Sequence, residues 1–278
     1  MERTVQLMLV QGRIPTPMQG MIGAMLPKAT AGYRSVVLFP SLYRVVMKAA
    51  KPGMAMWQNR REEAHLSFVK GKSMTNIVAA QLIEAEQASN EGMHHAATMW
   101  DLSNFYEAMD RNTLQARHRS TGFPSHLSTL TRSMYGCRRL FRSGEIIVDG
   151  GCPTRGIPAG CAAATYHVQA YLSDDAADWA QSNPDLGLNI HIDDITMYAT
   201  AQTPDDVANK LAHGLVEMKE ILEQRWGCEL AWPKVATVTS NEATRQALER
   251  KLSTLIGPRK QTATNLVLRA QRGVPEPE

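Results

Sequence analysis

In LNIHIDDITMYAT, residues 188–200, two adjacent acids, Asp193 and Asp194, interrupt a run of β-forming residues. The apolar and β-branched residues on both sides of the pair predict a hairpin over residues 187–200. Successive side chains of a strand point to opposite faces, but at a tight turn both carboxylates can approach one cation. Burying an unpaired carboxylate is costly, so these acids need a counter-charge. A divalent metal ion is a suitable one, because Mg²⁺ binds one or two carboxylates and keeps its other positions for water and phosphates.

Two other pairs of adjacent aspartates have an ordinary explanation. Asp174/Asp175 and Asp205/Asp206 each open an amphipathic segment of the sequence. Acidic side chains favour the positive end of a helix, and a preceding Ser or Thr can cap it. We therefore expect both pairs to mark helix starts.

A metal site needs a third acid, and the best candidate is Asp101 in MWDLSNFYEAMD, residues 99–110. It follows an apolar stretch, as an acid at the end of a buried strand does, and Tyr106 lies five residues further along. Taken alone, Asp101 is more simply explained as a helix N-cap and Tyr106 as a core aromatic. The hypothesis of a shared site therefore depends on the combination.

Strand-like and helical segments are interleaved along the chain, which indicates α/β or α+β architecture. Two short strands are expected around the glycine-containing turn in AMLPKATAGYRSVVLF, residues 24–39. The other segments follow in order: helices within 41–88, a helix over 125–142, a β segment in GEIIVDGG, helices over 161–172 and 205–225, a strand in CELAWPKVATVTS, and a polar helix from about 241 to 255.

The charge is unevenly distributed. Residues 1–72 hold 11 Lys/Arg against 3 Asp/Glu, whereas the whole chain has a net charge of only +3. Seven arginines and no acid lie between Arg111 and Arg142. Such basic stretches suggest a polyanionic partner such as nucleic acid, although a solvated basic face is the commoner origin of a charge run.

The composition, with 44% apolar and 21% charged residues, is that of an ordinary globular protein. We find no apolar run of membrane-spanning length and no signal peptide, so we expect an intracellular protein that is neither secreted nor membrane-bound. The sequence does not distinguish nucleus from cytoplasm. The four cysteines are far apart and show neither zinc-ligand spacing nor the density of a disulfide scaffold.

Three motifs in order carry a family resemblance. DLSNFY, RGIPAGCAAATY and HIDDI resemble the palm motifs of the reverse transcriptase domain of non-LTR retrotransposons, with further similarity to retron and group II intron enzymes. The resemblance implies that Asp101, Asp193 and Asp194 are catalytic and bind metal. It also implies that Tyr106 lies under the sugar of the incoming nucleotide and that Gly160 belongs to the substrate-binding motif.

The resemblance extends over roughly residues 20–240. LPKATAGYRSVVLFPSLYRVVMK is similar to the fingers motifs whose Lys and Arg hold the triphosphate, which implies Lys28 and Arg34. CELAWPKVATV is similar to the later palm strand, whose lysine, here Lys234, acts near the leaving pyrophosphate. Nucleotidyl transfer needs two divalent ions to activate the primer 3′-hydroxyl and to stabilise the pyrophosphate, and three carboxylates suffice to hold them.

The implied fold is α+β, a right-hand polymerase with fingers and palm, whose antiparallel palm sheet is backed by helices. Residues 1–90 would form a fingers-like region and 91–240 the palm, with part of 107–150 assignable to the fingers instead. Residues 241–278 would form a C-terminal helix and tail, with the thumb incomplete or absent. We therefore expect a fragment of a larger polyprotein. The implied function is RNA-templated DNA synthesis with two Mg²⁺ ions, which Mn²⁺ could replace, an RNA template, a DNA or RNA primer, and dNTPs.

Two residues depart from the family pattern. Ala159 precedes Gly160 where the family has Gln, and His191 lies where an aromatic residue is expected, which predicts a lost packing surface. Two alternatives to a polymerase stay open. One is an inactive retroelement remnant that only binds nucleic acid. The other is a metal-dependent nuclease or phosphotransferase that uses the same three acids.

Overall fold

The protein is seen here in a computed structural model, which describes residues 2–27, 33–61, 64–231 and 234–256. In chain order the elements are α1 (Glu2–Gln11), β1 (Gly20–Pro27), β2 (Tyr33–Leu38), α2 (Ser41–Ala49), α3 (Lys51–Asn59), α4 (Met74–Asn90), β3 (His94–Ser103), α5 (Phe105–Ala108), α6 (Arg111–Ser120), α7 (Ser125–Tyr135), β4 (Arg138–Ser143), β5 (Ile146–Asp149), α8 (Ala164–Ser182), β6 (Leu186–His191), β7 (Asp194–Ala201), α9 (Pro204–Glu220), β8 (Glu229–Leu230), β9 (Ala236–Thr239) and α10 (Glu242–Ile256).

The chain divides into two units, each assembled from two separate stretches. The first comprises Met1–Glu62 with Asn104–Leu172, and the second comprises Glu63–Ser103 with Ser173–Glu278. Helix α8 contributes its first residues to one unit and its remainder to the other. None of the helices within the described residues is long and apolar enough to cross a membrane.

The first unit is built around a sheet with strand order β2-β1-β4-β5. Strands β1 and β2 pair antiparallel, as the sequence predicts, whereas β1 and β4 pair parallel. The helix predicted over 125–142 is therefore wrong beyond its first part, because α7 ends at Tyr135 and Arg138–Ser143 is a strand. Pairing with β1 on one side and β5 on the other overrides the weak local preference of this arginine-rich segment.

The second unit is built around an antiparallel sheet with strand order β6-β7-β3-β8, in which β9 also pairs with β3. The hairpin predicted over 187–200 is confirmed as β6 and β7. The segment CELAWPKVATVTS provides two short strands, β8 and β9, instead of one, and both pair with β3. Helix α9 packs on β7 and β3, and α10 packs on α9, so helices back the sheet. The expected α+β class with an antiparallel sheet backed by helices is confirmed.

Helix α9 buries a stripe of apolar residues that recur at helical spacing. Val207, Leu211, Leu215 and Met218 are all buried, as is Leu222 in the helical turn just beyond α9. The helix begins at Pro204, where the side chain of Thr203 accepts a hydrogen bond from the Asp206 backbone N–H and donates one to the Asp206 carboxylate. The prediction that the pair at 205 marks a helix start is therefore confirmed.

The prediction for the other pair is wrong. Asp174 and Asp175 lie in the middle of the continuous helix α8, and the side chain of Asp175 is only 2% exposed. Its carboxylate accepts hydrogen bonds from Trp226 Nε1 and Arg225 Nη1, each over 2.9 Å. A buried carboxylate is tolerated here because these two donors, one of them charged, compensate its lost hydration.

Candidate active site

The two adjacent aspartates lie where β6 turns into β7. Strand β6 ends at His191 and β7 begins at Asp194, so Ile192 and Asp193 form a two-residue loop between the paired residues His191 and Asp194. Such loops use turns in which the first loop residue has a positive φ. Ile192 has φ 62°, which is unfavourable for a β-branched residue and costs on the order of 1–2 kcal/mol. The second unit thus places a strained turn at this acidic tip.

Asp101 lies beside this hairpin. Strand β3 pairs antiparallel with β7, with Asp101 directly opposite Asp194 and Trp100 opposite Ile195. The backbone N–H of Leu102 donates to the carbonyl oxygen of Asp193 over 3.2 Å. Directly opposed residues of an antiparallel pair have Cα atoms about 5 Å apart. The structure therefore brings Asp101, Asp193 and Asp194 together at one end of two neighbouring strands.

Lys234 joins these acids from the other side of β3. Its ammonium Nζ donates to the carboxylate of Asp101 in a short ion pair. The backbone supports this placement, because Ala231 N–H donates to the Asp101 carbonyl oxygen over 2.9 Å and Lys234 N–H donates to the Ala231 carbonyl oxygen over 2.8 Å. The side chain of Lys234 is 69% exposed and that of Asp101 is 20% exposed. The pair is therefore accessible from solvent on the lysine side.

The four charged groups interact electrostatically. Partial burial raises the pKa of Asp194, and the carboxylates of Asp193 and Asp101 raise it further, while His191 and Lys234 oppose this. The hydrogen bond and charge of Asp101 raise the pKa of Lys234, and the two other acids add to the effect. Three carboxylates against one ammonium leave an acidic cluster that attracts a second cation.

The donor set fits Mg²⁺ in kind, because carboxylate oxygens are the ligands that this ion takes from proteins. Among the residues that the structure describes, no group of three or more His, Cys, Asp or Glu is already arranged to hold a metal ion. One oxygen of the Asp101 carboxylate, Oδ2, is engaged by Lys234. A metal ion at this cluster would therefore share or compete for the Asp101 carboxylate with Lys234.

The substrate-binding residues expected from the sequence fall in the first unit or outside the described residues. Lys28 lies outside them, and Arg34 is placed in β2. Tyr106 lies in α5, with its ring edge-on to Phe105 at 5.7 Å between centroids. Its carbonyl oxygen accepts a hydrogen bond from the Ile157 N–H over 2.7 Å.

The backbone conformation at position 160 requires a glycine. Its φ is +104°, and a Cβ at this position would lie 2.6 Å from the carbonyl oxygen of Val37. The preceding Ala159, which departs from the family pattern, accepts a hydrogen bond from the Val37 N–H through its carbonyl oxygen over 2.9 Å. The close approach of this loop to β2 therefore explains the glycine without reference to a ligand.

The other departure, His191, keeps a packing role, so the expected loss of a packing surface is wrong. Its ring lies edge-on to that of Phe68 at 6.3 Å between centroids, and its Nδ1 is 3.0 Å from the hydroxyl of Ser67. The segment that carries these partners runs beside β6, where Ser67 N–H donates to the carbonyl oxygen of Ile190 over 2.9 Å.

Several arginines of the basic run 111–142 bind within the protein. Arg111, 8% exposed, donates to the carbonyl oxygens of Pro153, Arg155 and Gly156 over 2.7–2.9 Å. Arg138 forms an ion pair with Asp149. The expectation that arginines of this run serve a polyanionic partner is therefore wrong for Arg111, whose donors are used inside the protein. Sequence reasoning missed the role of Arg111 because its partners are backbone carbonyls, which leave no signal in residue type.

No protein-family model matches the chain, and no curated protein sequence matches it either. Solved structures do match it. In fold, the chain is similar to telomerase. Apo telomerase from Candida tropicalis, truncated from the C-terminal domain, superposes with a TM-score of 0.58 and 11% identity, over 81% of this chain and 51% of the telomerase chain. Telomerase from Candida albicans in complex with a TWJ fragment of telomeric RNA superposes with a TM-score of 0.58 and 11% identity, over 84% of this chain and 45% of the other.

The chain thus spans about half the length of the telomerase structures that it matches. At such low identity the similarity concerns the fold. Telomerase has a reverse-transcriptase-related fold, so the fingers and palm fold expected from the sequence is confirmed. The narrower assignment to non-LTR retrotransposons stays a prediction.

Proposed function

We propose that the chain carries the nucleotidyl-transfer site of a reverse transcriptase, at Asp101, Asp193 and Asp194. The observation that carries this proposal is the register of β3 and β7, which sets Asp101 opposite Asp194 at the end of the acidic hairpin. Within a reverse-transcriptase-related fold, an acidic cluster on two neighbouring sheet strands has the donor chemistry that the reaction needs.

The three aspartates would hold two Mg²⁺ ions, for which Mn²⁺ could substitute. When bound, the ions supply activation of the primer 3′-hydroxyl and stabilisation of charge on the departing pyrophosphate. The protein's own part is to keep the carboxylates ionised and close together. The raised pKa of Lys234 keeps its ammonium charged at neutral pH. Once released from Asp101, this group would serve as a general acid toward the leaving group.

The remaining roles come from the family resemblance. Lys28 and Arg34 would neutralise the triphosphate, for which Arg offers a two-pronged hydrogen-bond donor. Tyr106 would lie under the sugar of the incoming nucleotide, and Gly160 would help shape its binding site. The substrates would be an RNA template, a DNA or RNA primer and dNTPs. The setting would be an intracellular retroelement protein of the non-LTR type, in which other domains of a polyprotein cooperate.

One observation favours a second candidate, an inactive remnant that binds nucleic acid without extending it. Lys234 neutralises Asp101 directly, and the described residues hold no preassembled metal cage. A lysine fixed in this position would replace a metal ion instead of assisting one.

Primer extension distinguishes the candidates. The protein is incubated with poly(rA)/oligo(dT), dTTP and Mg²⁺, and incorporation is compared with that of Asp193→Asn and of the control Asp185→Asn. Asp185 is an exposed acid of the same unit that pairs with Lys210. It therefore matches the change in charge at a site away from the cluster.

We expect incorporation by the wild type and by Asp185→Asn, and a loss of at least about a hundredfold in Asp193→Asn, as for removal of a group that acts in the transition state. Salt-dependent binding of the duplex with no incorporation by the wild type would instead support the remnant. Degradation of the duplex without dTTP would point to a nuclease.

A further inference from the structure

The first unit contains a cavity of about 360 Å³ whose lining includes none of the residues assigned above to catalysis or substrate binding. It lies between β2, β4, α5 and the loop over residues 153–159. Most of its wall is apolar, formed by proline, valine, isoleucine and alanine side chains. Its polar lining residues are Ser35, Glu107, Arg139, Thr154 and Arg155. The volume is within the range of small-molecule sites, which are mostly apolar with a few convergent polar groups.

Arg139 is the lining residue that indicates a ligand site, because of its partly buried guanidinium. Its Nε and Nη2 atoms are buried, and no hydrogen-bond partner for them lies among the described residues. These are the two nitrogens that present parallel N–H bonds on one side of a guanidinium, the arrangement that binds a carboxylate or phosphate with two hydrogen bonds. A guanidinium stays charged, so burying these donors without a partner is unfavourable.

The neighbouring arginine on the same strand shows what this group binds. Arg138 uses the same two nitrogens, Nε and Nη2, to hold the carboxylate of Asp149 on the exposed face of the sheet. Arg139, one residue further along β4, lines the cavity instead. Glu107 lies within electrostatic range of Arg139 but makes no hydrogen bond to its buried nitrogens. The charged residues of the cavity lining are therefore two arginines, Arg139 and Arg155, and one acid, Glu107.

The cavity wall is held in place by hydrogen bonds. Arg111 fixes three carbonyl oxygens of the loop over 153–156. Gly156 N–H donates to Met109, and Ile157 N–H donates to Tyr106, over 2.8 and 2.7 Å. Gly156 has φ +83°, and a Cβ there would lie 2.9 Å from the Cα of Glu107. Such a wall binds a ligand at little ordering cost.

We infer that this cavity binds a small organic oxyanion, a carboxylate or phosphate monoester with an apolar body, whose charged end pairs with Arg139. The apolar wall takes the body of the ligand, and Arg155 adds a second positive charge. The three aspartates of the proposed nucleotidyl transfer belong to the other unit, so this inference does not depend on their chemistry, although Arg34, Tyr106 and Gly160 adjoin lining residues of the cavity in sequence.

Calorimetric or NMR titration of the full chain with phenyl phosphate and benzoate tests this inference. Phenol serves as the neutral body without the anion, and inorganic phosphate as the anion without the body. We expect saturable binding of at least one organic anion in the low millimolar range or tighter, with phenol and inorganic phosphate at least about tenfold weaker.

Arg139→Gln and Arg138→Gln make the same change in charge on adjacent residues of β4. We expect Arg139→Gln to weaken binding at least about tenfold and Arg138→Gln to change it less than about twofold, because only Arg139 lines the cavity. Glu107→Gln removes the acid that competes with the ligand and should tighten binding several-fold. It also tests the site if Arg139→Gln fails to fold.

Three results would overturn the inference. The first is equal weakening by the two arginine variants, which would indicate a diffuse electrostatic effect. The second is binding of phenol as tight as that of phenyl phosphate and benzoate. The third is an absence of saturable binding by either organic anion to the folded wild type.

Discussion

Replacing the buried carboxylate of α8 tests the packing of the second unit. In Asp175→Ala, the indole N–H of Trp226, a residue only 1% exposed, loses its 2.9 Å acceptor. Removing the acceptor of a buried donor lowers the free energy of unfolding by about 1–3 kcal/mol. The Arg225 side chain is 55% exposed, so the ion pair adds only about 0.5 kcal/mol. Alanine favours the helix by about half a kcal/mol, which offsets that term. We expect a net loss of about 2 kcal/mol in the free energy of unfolding.

Equilibrium urea unfolding, followed by circular dichroism, measures this change through the midpoint. Asp178→Ala is the matched control, because Asp178 is an exposed acid on the same helix and should change the free energy of unfolding by less than about 0.5 kcal/mol. Asp175→Asn keeps an acceptor for the indole and should lose about half as much as Asp175→Ala. Equal unfolding midpoints for Asp175→Ala and Asp178→Ala would refute the reasoning.

Two further predictions concern the first unit. Gly160→Ala should lower the free energy of unfolding by about 2 kcal/mol or more, because residue 160 has a φ of +104° and its Cβ would lie 2.6 Å from the Val37 carbonyl oxygen. The control Gly53→Ala, in α3 with open space around it, should raise the free energy of unfolding by about 0.5–1 kcal/mol. Equal urea midpoints for the two variants would contradict this prediction. Burial lowers the pKa of His118 to about 3 and also lowers the pKa of His167, whose Nδ1 is 3.0 Å from His118 Nε2. Below about pH 6.5 only the unfolded chain binds these protons. As the pH is lowered, the free energy of unfolding should therefore fall by about 1.4 kcal/mol per pH unit for each histidine. An unchanged urea midpoint between pH 7.5 and 5.5 would contradict this prediction.

Local sequence patterns predicted the structure correctly where contacts between residues close in sequence determine it. The β-forming residues around Asp193 and Asp194 predicted the hairpin, and the spacing of Val207 and Leu211 predicted α9 with its buried face. The N-cap at Thr203 follows the same logic, because its partner lies three residues away. In these cases periodicity and capping act over a few residues, so one sequence contains the information.

Long-range partners decided the features that sequence reasoning missed. Arg138–Ser143 is a strand because β1 and β5 pair with it, which no local pattern indicates. Asp175 is buried because Arg225 and Trp226, about fifty residues away, compensate its charge. Such contacts are set by tertiary packing, so residue types and spacing alone do not contain them.

The candidate site depends both on local sequence patterns and on long-range strand pairing. The acids were found from residue type and order, and the register of β3 and β7 brings them together. The ion pair between Lys234 and Asp101 was not foreseen, because the family resemblance assigns Lys234 to the leaving group and Asp101 to a metal. The structure adds that Lys234 and a metal ion would share or compete for the Asp101 carboxylate, because Lys234 engages its Oδ2.

Metal titration of the full chain is the decisive experiment for the proposed site, because it reports on the three acids without requiring a complete catalytic cycle. Mn²⁺ binding is followed by electron paramagnetic resonance in the wild type, Asp193→Asn and Lys234→Gln. We predict saturable binding by the wild type, at least about tenfold weaker binding by Asp193→Asn, and tighter binding by Lys234→Gln, since that change frees the Asp101 carboxylate. Equal Mn²⁺ affinity in all three folded proteins, or no binding by any of them, would contradict the claim that these aspartates form a divalent-metal site.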